Sequence, residues 1–161
     1  MARYFTYTEF TRSATADRLG IDNTPTDEHI QDNIIETMRL MDKIRGKWSD
    51  YCLQHYLIKP QIIVTSGYRC NELNNAVGGS KTSQHRYGSA CDFKANNGQN
   101  KALFEVIVEM IESGEITVGQ LIWEQGNDDN PAWIHISLPM EHKKNDILRY
   151  EKGKGYYKYG G

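Results

Sequence analysis

Cysteine is scarce in this chain, and so are the features that would tie it to a membrane or a nucleic acid. The 161 residues hold three cysteines, Cys52, Cys70 and Cys91. Three thiols do not make a disulfide framework, and buried free thiols are the expectation for all of them. No apolar run approaches the length of a membrane span. Neither sign of charge dominates: 19 basic and 21 acidic residues leave a net charge of -2. The clustered Lys and Arg of a nucleic-acid footprint are missing. No internal repeat or low-complexity block appears. The opening Met1-Ala2-Arg3-Tyr4-Phe5-Thr6 has no apolar core of a secretory signal. The length fits a single domain over 1–161 that buries its own core, expected to be monomeric.

What is present reads as α+β, a small antiparallel sheet with flanking helices. Tyr4 to Arg12 reads as an extended segment. Thr24 is the expected N-cap of a helix, with Pro25 at its first position and Asp27 in its first turn. Ile30, Ile34, Met38, Met41 and Ile44 then recur at helical spacing, to about His55. Ile62-Ile63-Val64 after Pro60 predicts a buried strand. Asn71 to Val77 predicts a short helix closed by Gly78-Gly79, and Ser80 to Tyr87 a loop. Ser89 to Ala95 predicts a second strand. Asn100 is a candidate cap for a helix ending at Gly114. Gln120 to Glu124 and Ala132 to Leu138 predict a hairpin with a polar loop. The end of the chain, Lys152-Gly153-Lys154-Gly155-Tyr156-Tyr157-Lys158-Tyr159-Gly160-Gly161, is basic and aromatic. Its tyrosines could stack on bases or glycans. Chain ends usually fray, so residues 139–161 are expected to form a solvated tail.

The chemistry concentrates in Ser83-Gln84-His85-Arg86-Tyr87-Gly88-Ser89-Ala90-Cys91-Asp92. His85 and Asp92 stand seven residues apart with small residues between, which lets the backbone pass close to a metal. A second histidine lies in Trp133-Ile134-His135-Ile136-Ser137. There, alternation sends Ile134 and Ile136 to the core and His135 to the other face. The same alternation turns Cys91 inward if Asp92 faces a metal, so Cys91 is not expected to be a ligand. Two imidazoles and one carboxylate are a common ligand set of a catalytic zinc, which keeps its fourth position open. Magnesium and calcium prefer all-oxygen sites. His29, His55 and His142 lack such context and are expected at the surface.

Ser66-Gly67-Tyr68-Arg69, Leu73-Asn74, Gly78-Gly79-Ser80, Ser83-Gln84-His85, Gly88, Ala90, Asp92 and Trp133-Ile134-His135 together resemble the zinc D-Ala-D-Ala peptidase family. That group shares its core with lysostaphin-type peptidases and the hedgehog signalling domain. The resemblance runs from about Tyr4 to about Leu138. Its blocks S-G-Y-R, S-x-H-x(6)-D and W-x-H occur in the family order. It implies a hedgehog/D-Ala-D-Ala peptidase-like fold, with zinc held by His85, Asp92 and His135. It implies a peptidase acting on peptidoglycan stem peptides, as a D,D-carboxypeptidase or an endopeptidase. For a wall-cutting enzyme with no signal peptide, synthesis in the cytoplasm is followed by release or virion delivery. A phage or prophage endolysin is therefore the expected source.

Hydrolysis also needs a general base. The family commonly places an acid three residues before the last histidine, where this chain has Ala132. Glu124 is the expected replacement: paired with Trp133 across the hairpin, it would lie diagonal to His135 on the same face. A one-residue slip would send it to the opposite face. Asp128 and Asp129 are the fallback. Arg69 matches the family's substrate-binding arginine, whose fork fits a carboxylate or supports an oxyanion. Ser83 and Gln84 are expected to add polar substrate contacts. Trp123 and Trp133 read as packing residues rather than sugar platforms. Two competitors stand. The hedgehog domain shows that this fold can keep zinc as an inert binding or structural module, and Ala132 leaves that open. A dipeptidase of free D-Ala-D-Ala would use the same core.

Overall fold

The computed structural model describes residues 3–160. Four helices and six strands follow in the order α1 (Ala14–Leu19), α2 (Glu28–Gln54), β1 (Ile62–Ser66), α3 (Asn71–Ala76), β2 (Ala90–Ala95), α4 (Asn100–Glu112), β3 (Gln120–Glu124), β4 (Trp133–Ser137), β5 (Asp146–Glu151) and β6 (Gly155–Lys158). Single 3-10 turns occupy Tyr7–Phe10 and Gln84–Tyr87. The class is α+β. One open sheet has the order β1-β2-β4-β3-β5-β6. All neighbours are antiparallel except β3 and β5, which run parallel.

The long helix α2 buries Ile34, Met38, Met41, Ile44, Trp48 and Cys52 along one stripe. It starts three residues later than the Thr24 cap predicts. Asp27 is the N-cap and accepts from the amides of His29 and Ile30. Thr24 is held in a local turn by Asp22, whose carboxylate accepts its amide at 3.0 Å. The segment before Arg12 is also not extended, because Thr6 and Glu9 form a capping box around the Tyr7–Phe10 turn. Its Phe10 is buried in the core.

Period-two alternation divides the sheet faces. Val64, Cys91, Phe93, Leu121, Trp123, Ile134 and Ile136 are buried with α2 and α4 in a single core. The opposite face carries the polar residues described below. Cys52 and Cys91 are buried free thiols as expected, whereas Cys70 is half-buried and caps α3 through its sulfur.

Residues 146–158 correct the expectation of a frayed tail. The chain leaves β4, turns through residues 138–145 and returns beside β3, so β5 runs parallel to β3. Its inner face is packed. Arg149 lies over the rings of Trp123 and Tyr157 at 4.9 and 5.8 Å. Beyond β6, Tyr159 packs on Phe104 and Trp123. Composition hid this, because glycines and lysines in 152–158 serve the β5–β6 turn and the solvent side.

Between β1 and α3 the chain is threaded tightly. A Cβ on Gly67 would lie 2.2 Å from the Phe10 carbonyl oxygen and 2.7 Å from its carbon. Both are backbone atoms, and the Tyr68 amide donates to that same oxygen at 2.7 Å. We expect Gly67→Ala to destabilise the protein by about 2 kcal/mol or more, through forced backbone displacement. Thermal unfolding of the two proteins checks it; equal melting temperatures would exclude the clash.

Candidate metal centre and active-site cleft

The register between β2 and β4 builds the site. Asp92 lies directly opposite His135. On the other side of β2, the ladder shifts register between Val64 and Ser66, so Ser66 pairs with Asp92 and the chain turns out of β1 towards Arg69. His85 arrives from the 3-10 turn. Ser83 caps that turn by accepting the His85 amide, and Gly88 closes it in the left-handed region at φ 72°. A Cβ on Gly88 would lie 2.6 Å from the Ile34 side chain, so the turn rests directly on α2. Thr37 of α2 donates to the Gly88 carbonyl at 2.9 Å.

These elements bring His85, Asp92 and His135 together. One donor atom from each lies within 4.8 Å of the others. His85 Nε2 is 3.4 Å from Asp92 Oδ1, and His135 Nδ1 is 2.8 Å from it. Donors of a tetrahedral zinc with bonds near 2 Å are separated by roughly 3.3 Å. His85 Nδ1 bonds the Gly67 carbonyl at 2.7 Å. As donor there, Nδ1 carries the proton and leaves the Nε2 lone pair facing Asp92. The donor set and the fixed tautomer therefore fit a metal ion. Burial disfavours the Asp92 carboxylate. The charges and hydrogen bonds of His85 and His135 outweigh that and hold its pKa well below the usual carboxylate range.

Around this group lies a cleft of about 790 Å³. Arg69, Ser83, Gln84, His85, Asp92, Glu124 and His135 all line it, so the structure gathers the expected metal donors, the first-choice base and the expected substrate-binding residues in one cleft. Glu124 pairs with Trp133, the register that its expected role requires, and Ile122 pairs with His135. Glu124 is 9% exposed. Burial pushes its pKa up to about 7, against the opposing His135 charge and with help from Asp92. Asp128 is exposed and pairs with Arg149; Asp129 is exposed in the same turn, and neither lines the cleft.

Arg69 donates to Ser83 Oγ at 3.3 Å, and its buried Nε has no partner. Burial lowers the guanidinium pKa, and Asp92 opposes that shift. Gln84 is buried and donates to the Leu138 carbonyl at 3.4 Å. Trp123 is core, while Trp133 is half-buried on the cleft wall. His29, His55 and His142 are exposed. Asn23 carries no signal in the sequence. Its amide donates to the carbonyls of Thr11 and Tyr68 and its oxygen accepts the Cys70 amide, clamping both ends of the segment that holds Arg69. Lys143, Leu148 and Tyr156 on the cleft wall also carry no local signal, since they fall within the segment whose composition predicts a tail.

An α+β sheet presenting a His-Asp-His group beside a buried acid defines a metallohydrolase-like site. The family described as Peptidase M15 matches residues 3–137. The chain belongs to this zinc D-Ala-D-Ala peptidase family, and membership supports a peptidase activity. No curated protein matches the chain. No helix among the described residues is long and apolar enough to cross a membrane.

The raised pKa of Glu124 has a thermodynamic consequence for the metal-free protein. The folded state keeps this acid protonated up to about pH 7, while the unfolded chain ionises it above 4.5. Folding therefore becomes less favourable as pH rises from 4.5 through 7. A difference of that size corresponds to at most about 3 kcal/mol. We expect metal-free Glu124→Gln to gain stability over the wild type across that window and to match it near pH 4. Denaturant unfolding at several pH values checks this; a pH-independent difference would remove the buried-acid assignment.

Proposed function

We propose that the protein hydrolyses peptide bonds in the stem peptides of bacterial peptidoglycan, as a D,D-carboxypeptidase or an endopeptidase, with zinc as cofactor. The observation that carries this reading is the placement of Glu124 on the same cleft wall as the His85, Asp92 and His135 group. His85 through Nε2, Asp92 through its carboxylate and His135 through Nδ1 would hold the ion. A zinc ion bound there supplies Lewis-acid polarisation of the scissile carbonyl and lowers the pKa of water towards neutrality.

The remaining chemistry falls to the side chains. Glu124 takes a proton from the attacking water and passes it to the leaving amine. A carboxyl poised near neutral pH is suited to both transfers. Arg69, oriented by Ser83, offers its guanidinium to a substrate carboxylate or to the developing oxyanion. Gln84 contributes to the cleft floor beside His85. The Ala132 position, where family members commonly carry an acid, is exposed and outside the cleft lining. Glu124 comes from the neighbouring strand, which supports it as the base despite that departure.

The test is digestion of purified peptidoglycan by zinc-loaded protein, with products identified by mass spectrometry. New stem-peptide fragments are expected, and none with His85→Ala. Glu124→Gln should bind zinc normally and lose at least about a hundredfold in kcat, the usual contribution of a positioned base. Full activity in that variant would remove Glu124 as base. Stoichiometric zinc with no cleavage of any wall type would shift the reading to a binding module of the same fold.

A further inference from the structure

The sheet carries two ladders of side chains on the cleft face, and one of them extends past the acid. Register places Trp133 of β4 opposite Glu124 of β3, Glu124 opposite Tyr150 of β5, and Tyr150 opposite Tyr156 of β6. Residues paired across a sheet share a face. The row Trp133, Glu124, Tyr150, Tyr156 therefore runs along one wall, away from the metal group. Beside it runs the row Asp92, His135, Ile122, Leu148. Leu148 and Tyr156 both line the cleft. Tyr156 is 61% exposed, an aromatic ring left open to solvent at the mouth. Tyr150, its cross-strand neighbour, packs against it with ring centroids 4.7 Å apart. Arg69, just past the end of β1, lies at the other end of the cleft, where its amide donates to the His85 carbonyl. Both tyrosines lie outside residues 3–137, the part that matches the family.

We infer that Tyr156, with Leu148 beside it, is a substrate-binding platform that makes this site select an extended peptide over a free dipeptide. The inference rests on the peptidase reading above. Its warrant is distance. From β4, which carries His135, to β6 is three strand spacings, roughly 14 Å. An extended peptide covers that span with about four residues. A dipeptide with its scissile bond at the His-Asp-His group stops short of β6. A stem peptide reaches it, on the side of the scissile bond away from Arg69. The ring face and the Leu148 side chain offer an apolar floor for the peptide backbone and small aliphatic side chains. The β5–β6 hairpin thus turns the cleft into a longer trough.

The experiment compares wild type, Tyr156→Ala and Tyr156→Phe, each zinc-loaded, on a stem pentapeptide ending in D-Ala-D-Ala and on the free D-Ala-D-Ala dipeptide. Binding of the pentapeptide is measured separately in metal-free protein, by calorimetry and through tryptophan fluorescence, to which the cleft residue Trp133 contributes. Tyr156→Ala should raise KM for the pentapeptide roughly tenfold, with kcat and zinc content little changed, as loss of one aromatic contact predicts. It should weaken metal-free binding by the same factor and leave any dipeptide turnover unaltered. Tyr156→Phe should restore the pentapeptide values, since the ring does the binding. Unchanged KM and binding in Tyr156→Ala would overturn the inference, and so would equal losses on pentapeptide and dipeptide. A wild type that binds the pentapeptide but cuts nothing would remove the peptidase reading while the platform stands on the binding data. A wild type that neither binds nor cuts removes both.

Discussion

A slip of one residue between β2 and β4 would dismantle this molecule. Asp92 opposes His135, and the period of a strand is two, so a single shift would carry His135 from the cleft to the core and an isoleucine into the cleft. The core enforces the register. Cys91, Phe93, Ile134 and Ile136 are all fully buried against α2 and α4, and the alternative pairing would place a histidine among them. Desolvating an unpaired imidazole there is unfavourable, whereas the isoleucines lose nothing by staying. Hydrophobic burial on one face thus fixes the geometry of the candidate metal donors on the other. The same ladder, read outward through β3, sets Glu124 on the cleft wall rather than in the core.

The third donor does not come from the sheet, and it needs separate support. His85 sits on a turn held from three directions. Gly67 accepts its Nδ1, the Arg69 amide donates to its carbonyl, and α2 meets the turn at Gly88. The lack of a side chain matters at both glycines, because backbone or Ile34 occupies the space a Cβ would need. Gly67 therefore serves two ends: it permits the close pass beneath Phe10 and presents a carbonyl to His85. Asn23 then clamps the flanking Tyr68 and Cys70. The S-G-Y-R block is best understood as the bracket that orients a metal donor and an arginine together.

Much of this was readable in the chain because it rests on alternation and on short-range motifs. Ile134, His135 and Ile136 declare their faces by parity alone, whereas the hairpin left the Glu124–Trp133 pairing as one register among those a single slip allows, and the structure adopts it. The helix start at Asp27 was not readable, since Thr24-Pro25 carries an equally good local signal and only the Asp22 turn decides between them. Asn23 gave no signal at all; a lone asparagine in a loop becomes a clamp only through contacts 12 and 45 residues away. The β5–β6 hairpin was hidden by composition. Its anchor is Arg149 between Trp123 and Tyr157, a long-range stack that no local propensity reports.

The pKa values of two carboxyl groups on one wall are driven apart by their surroundings, and the division matches the roles proposed for them. Asp92 is flanked by two imidazoles that stabilise its charge despite burial, so it stays ionised and available as a metal donor. Glu124 is buried without an equivalent partner, and Asp92 repels its charge. A group held near neutrality can accept a proton and return it at ordinary pH, which a strongly acidic carboxylate such as Asp92 does poorly. Exchanging the environments would exchange the roles. Under the proposed mechanism, the imidazoles of the candidate metal group therefore also keep its carboxylate from acting as a base, and they leave proton transfer to Glu124, two strands along the sheet.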